Sequence, residues 1–156
     1  IFIDHAQLLE TRGPVPEGDG AIPFGRAEVK RAGKDVTVIA TSIEVQRSLA
    51  VAEQLAREGI QVEVVDPRTV VPLDFATLLQ SVEKTGRVVI VDQCHKSCGI
   101  AAEIAARIAE EGFDKLKAPI RRVTTPDVPI PFSPPLEEFV TPSEPRIIEA
   151  IRSVLR

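Results

Sequence analysis

Asp35-Val36-Thr37-Val38-Ile39-Ala40-Thr41-Ser42-Ile43-Glu44, continued by helix-spaced apolar residues to Gly59 and then by Gln61-Val62-Glu63-Val64-Val65, decides the fold class. The first six residues form a short β-branched run suited to a buried strand. Thr41 and Glu44 stand at the spacing of a capping box, which places a helix start between them. Val45, Leu49, Ala52, Leu55 and Ala56 recur at three- and four-residue steps, Gly59 is a left-handed stop, and Gln61 to Val65 is the next strand. This is one β-α-β unit, and it repeats. Asp66-Pro67-Arg68 ends the strand, Asp74 after Pro72-Leu73 caps a helix through about Thr85, and Gly86 closes it ahead of the strand Arg87 to Asp92. Cys98-Gly99 opens an alanine-rich helix with Ile100, Ile104, Ala105 and Ile108 on one face, and Ile120 to Thr124 supplies a further strand. A last helix enters at Thr141-Pro142-Ser143-Glu144, a second capping-box spacing, and carries Ile147, Ile148, Ile151, Val154 and Leu155. Strands that are nearly all apolar and alternate with helices predict an α/β protein, a three-layer α/β/α sandwich around a mostly parallel sheet. Arg26 to Arg31 is expected as an edge strand, antiparallel through a tight turn at Ala32-Gly33-Lys34 into Asp35.

The pattern stops at Arg122 to Glu138, where prolines stand at 126, 129, 131, 134 and 135. Each proline fixes φ and removes a donor, so the segment is expected to wrap over the domain in extended form. Val123, Val128, Ile130, Phe132 and Leu136 give it more apolar surface than a solvated linker carries, so it should pack against something.

At 156 residues the chain is long enough for one compact unit, and 44% hydrophobic with 27% charged residues is ordinary for a soluble domain. A net charge of −4 gives no field to hold nucleic acid, and no run approaches the roughly twenty apolar residues needed to cross a bilayer. Together with the lack of a signal-peptide pattern, this leads to the expectation of a cytoplasmic or organelle-matrix protein. The chain contains no methionine and begins Ile1-Phe2-Ile3-Asp4-His5, which reads as a piece of a longer protein. Residues 11 to 24, with Gly13, Gly18, Gly20, Pro14, Pro16 and Pro23 among charges, read as a connector from a preceding domain whose last strand holds Phe2-Ile3.

Open parallel sheets bind ligands beyond the carboxyl ends of their strands, so Thr41-Ser42, Asp66-Pro67-Arg68, Asp92 to Gly99 and Thr125-Pro126-Asp127 should gather on one edge. The inventory there is thin, with no G-x-G-x-x-G, no Walker lysine, no G-x-S-x-G elbow and no paired carboxylates flanking a nucleophile. Arg68 is a candidate anion contact, weighed against an internal ion pair with Asp66. Cys94, His95 and Cys98 form C-H-x-x-C, which matches neither haem attachment nor structural zinc nor a two-residue redox motif, and two reduced cysteines in a strand-to-helix loop is the expected state. No catalytic, cofactor-binding or metal-binding residue is assigned.

Ile22-Pro23-Phe24-Gly25-Arg26-Ala27, Gly33-Lys34-Asp35-Val36-Thr37, Val65-Asp66-Pro67-Arg68-Thr69-Val70-Val71-Pro72-Leu73-Asp74 and Thr125-Pro126-Asp127-Val128-Pro129-Ile130-Pro131-Phe132 follow one another in this order. They resemble the C-terminal domain of the E1 beta subunit of thiamine-diphosphate-dependent 2-oxo acid dehydrogenases, of pyruvate, branched-chain or acetoin type. Asp-Pro-Arg-Thr followed by Pro-Leu-Asp is shared by transketolase-like C-terminal domains generally, and the proline-rich tail points to the E1 beta branch. Cys98-Gly99-Ile100-Ala101 is closer to acetoin-dehydrogenase-like members. Leu116-Lys117-Ala118-Pro119 departs from the pattern, with a lysine where relatives often have an acid.

The resemblance implies that residues 1–24 are the end of a pyrimidine-binding domain plus connector, and 25–156 the transketolase C-terminal-like domain. It implies that thiamine diphosphate and Mg belong to the parent enzyme, outside this chain, where a 2-oxo acid is decarboxylated and its acyl group passed to lipoamide. This part would then serve in assembly and docking, with the E1 alpha subunit, a second E1 beta subunit and the peripheral-subunit-binding domain of the E2 acyltransferase as partners. Ile130 and Phe132 are its candidate subunit contacts, and Glu137, Glu138 and the carboxylate of Arg156 its candidate contacts for the basic E2 domain. The helix faces beginning near Gly99 and Thr141 are read equally as interface or core. The alternatives are a stand-alone α/β domain binding a small anion or nucleotide, and the C-terminal domain of a deoxyxylulose-phosphate-synthase-like relative.

Overall fold

The computed structural model describes all residues except Val15, Pro16 and Asp19, so that part of the connector reading lies outside the described residues. Five strands form one mixed sheet: β1 (Glu28–Arg31), β2 (Val36–Ala40), β3 (Val62–Asp66), β4 (Val88–His95) and β5 (Arg121–Thr125). Their spatial order is β1-β3-β2-β4-β5, with β3, β2, β4 and β5 parallel and β1 antiparallel to β3. The helices are α1 (Ile43–Ala56), α2 (Phe75–Thr85), α3 (Ile100–Glu111), α4 (Pro134–Val140) and α5 (Glu144–Leu155).

The three layers follow from the alternation of side chains along the strands. Val36, Val38, Ala40, Val62, Val64, Val89, Val91 and Val123 face α1 and α5, whose Val51, Leu55, Ile147 and Ile151 fill the first core. Ile39, Val65, Val88 and Ile90 face α2 and α3, whose Leu78, Val82, Ile104 and Ile108 fill the second. All five residues of β2 are buried, as a central strand covered on both faces requires. The helix faces beginning near Gly99 and Thr141 are core faces, since Ile104, Ile108, Ile147 and Ile151 have no exposed surface.

Four local expectations are corrected. The edge strand β1 does not turn back onto β2. Its partner is β3, because Lys34 and Asp35 donate their N–H groups to Gln61 O (both 3.0 Å) and Gly33 lies flat on the start of β3. A Cβ at Gly33 would stand 2.2 Å from the Glu63 nitrogen, so only glycine permits that approach. Second, neither capping box forms: Ser42, not Thr41, occupies the N-cap of α1 and makes no side-chain cap, and neither does Ser143 at α5. Third, the proline segment is not extended throughout. Pro134 and Pro135 fall in the first turn of α4, where a missing N–H costs nothing, and the helix runs on to Val140. Fourth, Phe2-Ile3 is not in a strand: residues 1–5 are irregular and a 3₁₀ turn follows at Ala6–Leu8.

The caps read at α2 are present. Asp74 accepts from the Thr77 N–H (3.2 Å) and hydroxyl (2.8 Å), and Gly86 takes the left-handed C-cap position at φ 72°. The same carboxylate accepts the Ala27 N–H (2.9 Å), tying the approach to β1 onto α2. Against the cost of burial, these donors hold Asp74 below the ordinary carboxylate range. Asp74→Ala removes the cap and the Ala27 tie together and should cost about 1–2 kcal/mol, measured by urea unfolding at neutral pH.

Candidate functional site

The chain leaves β2 toward β3 on one side and reaches β4 on the other, so the order of connection reverses between β2 and β4. At such a point the loops beyond the strand ends part and leave a crevice. Here it is occupied by the protein's own polar groups. Thr41 donates its hydroxyl to Asp92 Oδ1 (2.7 Å), which is why it does not cap α1. Glu44, in the first turn of α1, is fully buried and accepts from the Arg47 guanidinium (2.7 Å). Arg47 also donates to Pro142 O (2.8 Å), linking the start of α1 to the entry of α5. Gln93 meets the Nε2 of His5 across 3.0 Å, which fastens the N-terminal arm to the same place.

Two carboxylates thus converge, and Glu44 Oε2 and Asp92 Oδ2 are buried with no hydrogen-bond partner. Burial pushes Glu44 up to about 7; Arg47 counteracts this and the Asp92 charge adds to it. A folded-state value raised from the ordinary carboxyl range means the folded protein binds the proton more tightly than the unfolded chain. The resulting stability is complete below the unfolded value and is lost as pH rises through about 7. Glu44→Gln should therefore be more stable than the parent by about 1–3 kcal/mol at pH 8.5, with the gap closing near pH 4.5, in paired urea titrations. An equal gap at both pH values would show that ionisation of Glu44 is not its origin.

Beside this pair, the turn after β4 is fastened to β5 and to the proline segment. Lys96 N donates to Thr125 O (2.8 Å), Thr125 Oγ1 to Gln93 O (2.8 Å) and Arg122 to Lys96 O (2.8 Å). Ser97 donates its N–H (3.0 Å) and hydroxyl (2.7 Å) to Asp127, which these bonds hold below the ordinary carboxylate range. His95 Nε2 meets Val128 O at 3.0 Å. The loops after β2, β4 and β5 thus gather on one edge, joined by these bonds.

Arg68 stands apart, on the β1 side. Its guanidinium is engaged in an ion pair with Glu28, while its N–H donates to Asp66 Oδ1 (2.9 Å), so the partner of the charge is Glu28 and not Asp66. Ile130, Phe132, Glu137 and Glu138 lie together on the segment from Asp127 through α4, and all but the half-buried backbone neighbours are exposed. Phe132 is fully exposed, Phe139 is 81% exposed, and Val128, Ile130 and Leu136 are 40–55% exposed beside them, so this segment turns a run of apolar surface to solvent. An extended segment gives Phe139 no defined place; its sequence signal is the Leu136-x-x-Phe139 spacing of a helix face. Arg156 ends α5, where it lines a groove of about 480 Å³ with Gln54, Glu144, Ile148 and Arg152. Lys117, the departure noted above, lies over Gly86 and donates to Thr85 O (3.3 Å), closing the end of α2. Among the described residues, no group of three or more His, Cys, Asp or Glu side chains is placed to hold a metal, and no helix is long and apolar enough to cross a membrane.

Residues 25–147 match the family model described as the C-terminal domain of transketolase. The chain is 47% identical to the beta subunit of acetoin:2,6-dichlorophenolindophenol oxidoreductase of Cupriavidus necator, over 100% of this chain and 46% of that protein. It is 42% identical to the beta subunit of the pyruvate dehydrogenase E1 component of Bacillus subtilis, over 99% of this chain and 48% of the relative. A solved split-gene transketolase, described as an inactive beta4 tetramer, superposes with a TM-score of 0.77 at 29% identity, covering 92% of this chain and 45% of that one. The chain belongs to the transketolase C-terminal domain family, and the relatives named here are beta subunits of acetoin oxidoreductase and of the pyruvate dehydrogenase E1 component. It spans about half the length of the relatives it matches.

Proposed function

We propose that this chain is the assembly and partner-docking domain of an E1 beta subunit whose parent enzyme decarboxylates a 2-oxo acid and transfers the acyl group to lipoamide. The observation that carries the reading is the run of exposed apolar side chains Val128, Ile130, Phe132, Leu136 and Phe139 on one rigidly anchored segment. Scattered exposed apolar residues are normal, but a contiguous set on a segment stiffened by prolines is the mark of a surface that another chain covers. The E1 alpha subunit and a second beta subunit are the partners proposed for Ile130 and Phe132. Glu137 and Glu138, exposed beside them, are proposed to meet the basic peripheral-subunit-binding domain of E2, where they would set association rate and partner choice. A cytoplasmic or organelle-matrix location goes with this reading.

Thiamine diphosphate and Mg supply the parent's carbon chemistry and are proposed to lie outside this chain. The crevice between β2 and β4 does not fit a diphosphate, which would meet the buried carboxylates Glu44 and Asp92 there. That charge arrangement also argues against the stand-alone anion-binding alternative.

The test is expression of the natural reading frame with its cognate alpha subunit. Thiamine-diphosphate-dependent decarboxylation of a 2-oxo acid, or turnover of acetoin, is expected for the pair and not for this chain alone. Phe132→Asp combined with Phe139→Asp should leave the thermal midpoint of the isolated beta polypeptide unchanged within about 2 °C, since neither side chain packs on the domain, while weakening subunit association at least about 100-fold. A double variant that assembles normally would remove this segment from the interface.

A further inference from the structure

Cys94 and Cys98 are both reduced and exposed, and they bracket one structural point, the N-terminus of α3. The chain turns so tightly after β4 that a Cβ on Gly99 would stand 2.5 Å from His95 O and 3.0 Å from the Cβ of Cys94. The residue directly after Cys98 therefore lies against Cys94. Cys94 thus sits beside the start of α3, with the Asp92 carboxylate two residues back on the same strand. Burial first, and then Asp92, push this thiol up, so it rests protonated with a buried carboxylate at hand. Cys98 is held at φ 58°, a left-handed conformation that disfavours any side chain but is tolerated where surrounding contacts fix it.

We propose that Cys94 and Cys98 are a dithiol switch that closes to an intraloop disulfide on exposure to a hydroperoxide. The Cys98 thiolate attacks the peroxide oxygen, the O–O bond breaks, and an alcohol or water leaves, so that Cys98 becomes a sulfenic acid. Cys94 then attacks the Cys98 sulfur, its proton passes to the departing oxygen, and the S–O bond breaks to release water. Two thiols and one hydroperoxide yield one disulfide, one alcohol and one water, a balanced two-electron step. The consequence is conformational. Residues 95–97, which the new bond would enclose, are those that hold Thr125, Asp127 and Val128. Closing the ring pulls on the root of the segment that carries Phe132. The dithiol chemistry itself does not depend on the assembly reading.

The test uses the protein expressed from its natural reading frame, reduced, freed of reductant and treated with one equivalent of hydrogen peroxide. Trypsin cuts after Lys96, between the two cysteines, so the disulfide yields peptide 88–96 linked to peptide 97–107, separable by dithiothreitol. Cys98→Ser should slow the loss of the Cys94 thiol at least about tenfold, because the sulfenic acid it attacks is no longer made. Amide exchange in residues 126–132 should quicken on oxidation and recover on reduction. Unreacted thiols, a sulfinic acid on one cysteine alone, a bond between two chains, or equal Cys94 loss in Cys98→Ser would each overturn the proposal.

Discussion

Two successive peptide groups after β4, at Lys96 and Ser97, hold the carboxyl edge of this domain together. β4 runs past the end of β2, and its continuation donates to Thr125 and Asp127 while its carbonyls take Thr125 Oγ1 and the Arg122 guanidinium. Because β5 is a sheet edge paired with β4 alone among the described residues, these bonds fix where the chain goes when it leaves the sheet. The proline segment inherits that direction. Its prolines then limit the conformations open to it, so that Ile130, Phe132 and α4 stand at a defined place on the surface although none of their large apolar side chains is fully buried.

The polar interior at the same edge has a different logic. A crevice at a topological switch point is where open α/β sheets place ligands, yet here it contains two bonded pairs, Thr41 with Asp92 and Arg47 with Glu44. Arg47 reaches Pro142 and Arg146 reaches Thr124 O (2.7 Å), so the charges near the strand ends are used to moor α5 and its entry loop. A buried pair of this kind is weak evidence for stability, and the raised Glu44 carboxyl indicates a net cost above neutrality. Structural mooring accounts for the groups present better than substrate chemistry does. That agrees with a domain whose role is to present surfaces.

Much of the fold was legible because the three inner strands β3, β2 and β4 are largely apolar runs bounded by turn residues and each long helix has one apolar face. Val36 to Ala40, Leu78, Ile104 and Ile151 are buried as their periodicity demands. What escaped depends on contacts between residues far apart in the chain. Thr41 fits a cap by local spacing, but Asp92, fifty-one residues on, competes for its hydroxyl and wins. The turn at Gly33 looks like a hairpin locally, yet the backbone of β3 lies where β1 must pair. Pro134 and Pro135 read as helix breakers and serve as a helix start, a positional ambiguity that composition cannot resolve. The candidate docking residues were legible as apolar residues without a periodic place; that they lie exposed together required the course of the segment, and Phe139 joined them only through α4.

The most direct measurement of the docking role is hydrogen exchange on the beta polypeptide, alone and in complex with its alpha subunit, read over residues 126–140. Amides from Val128 through Val140 are expected to become markedly slower in the complex while those of β2 and β4, already buried, stay unchanged. Protection that fails to change along this segment, with a stable complex present, would contradict the claim that the surface carrying Phe132 and Phe139 is where a partner sits.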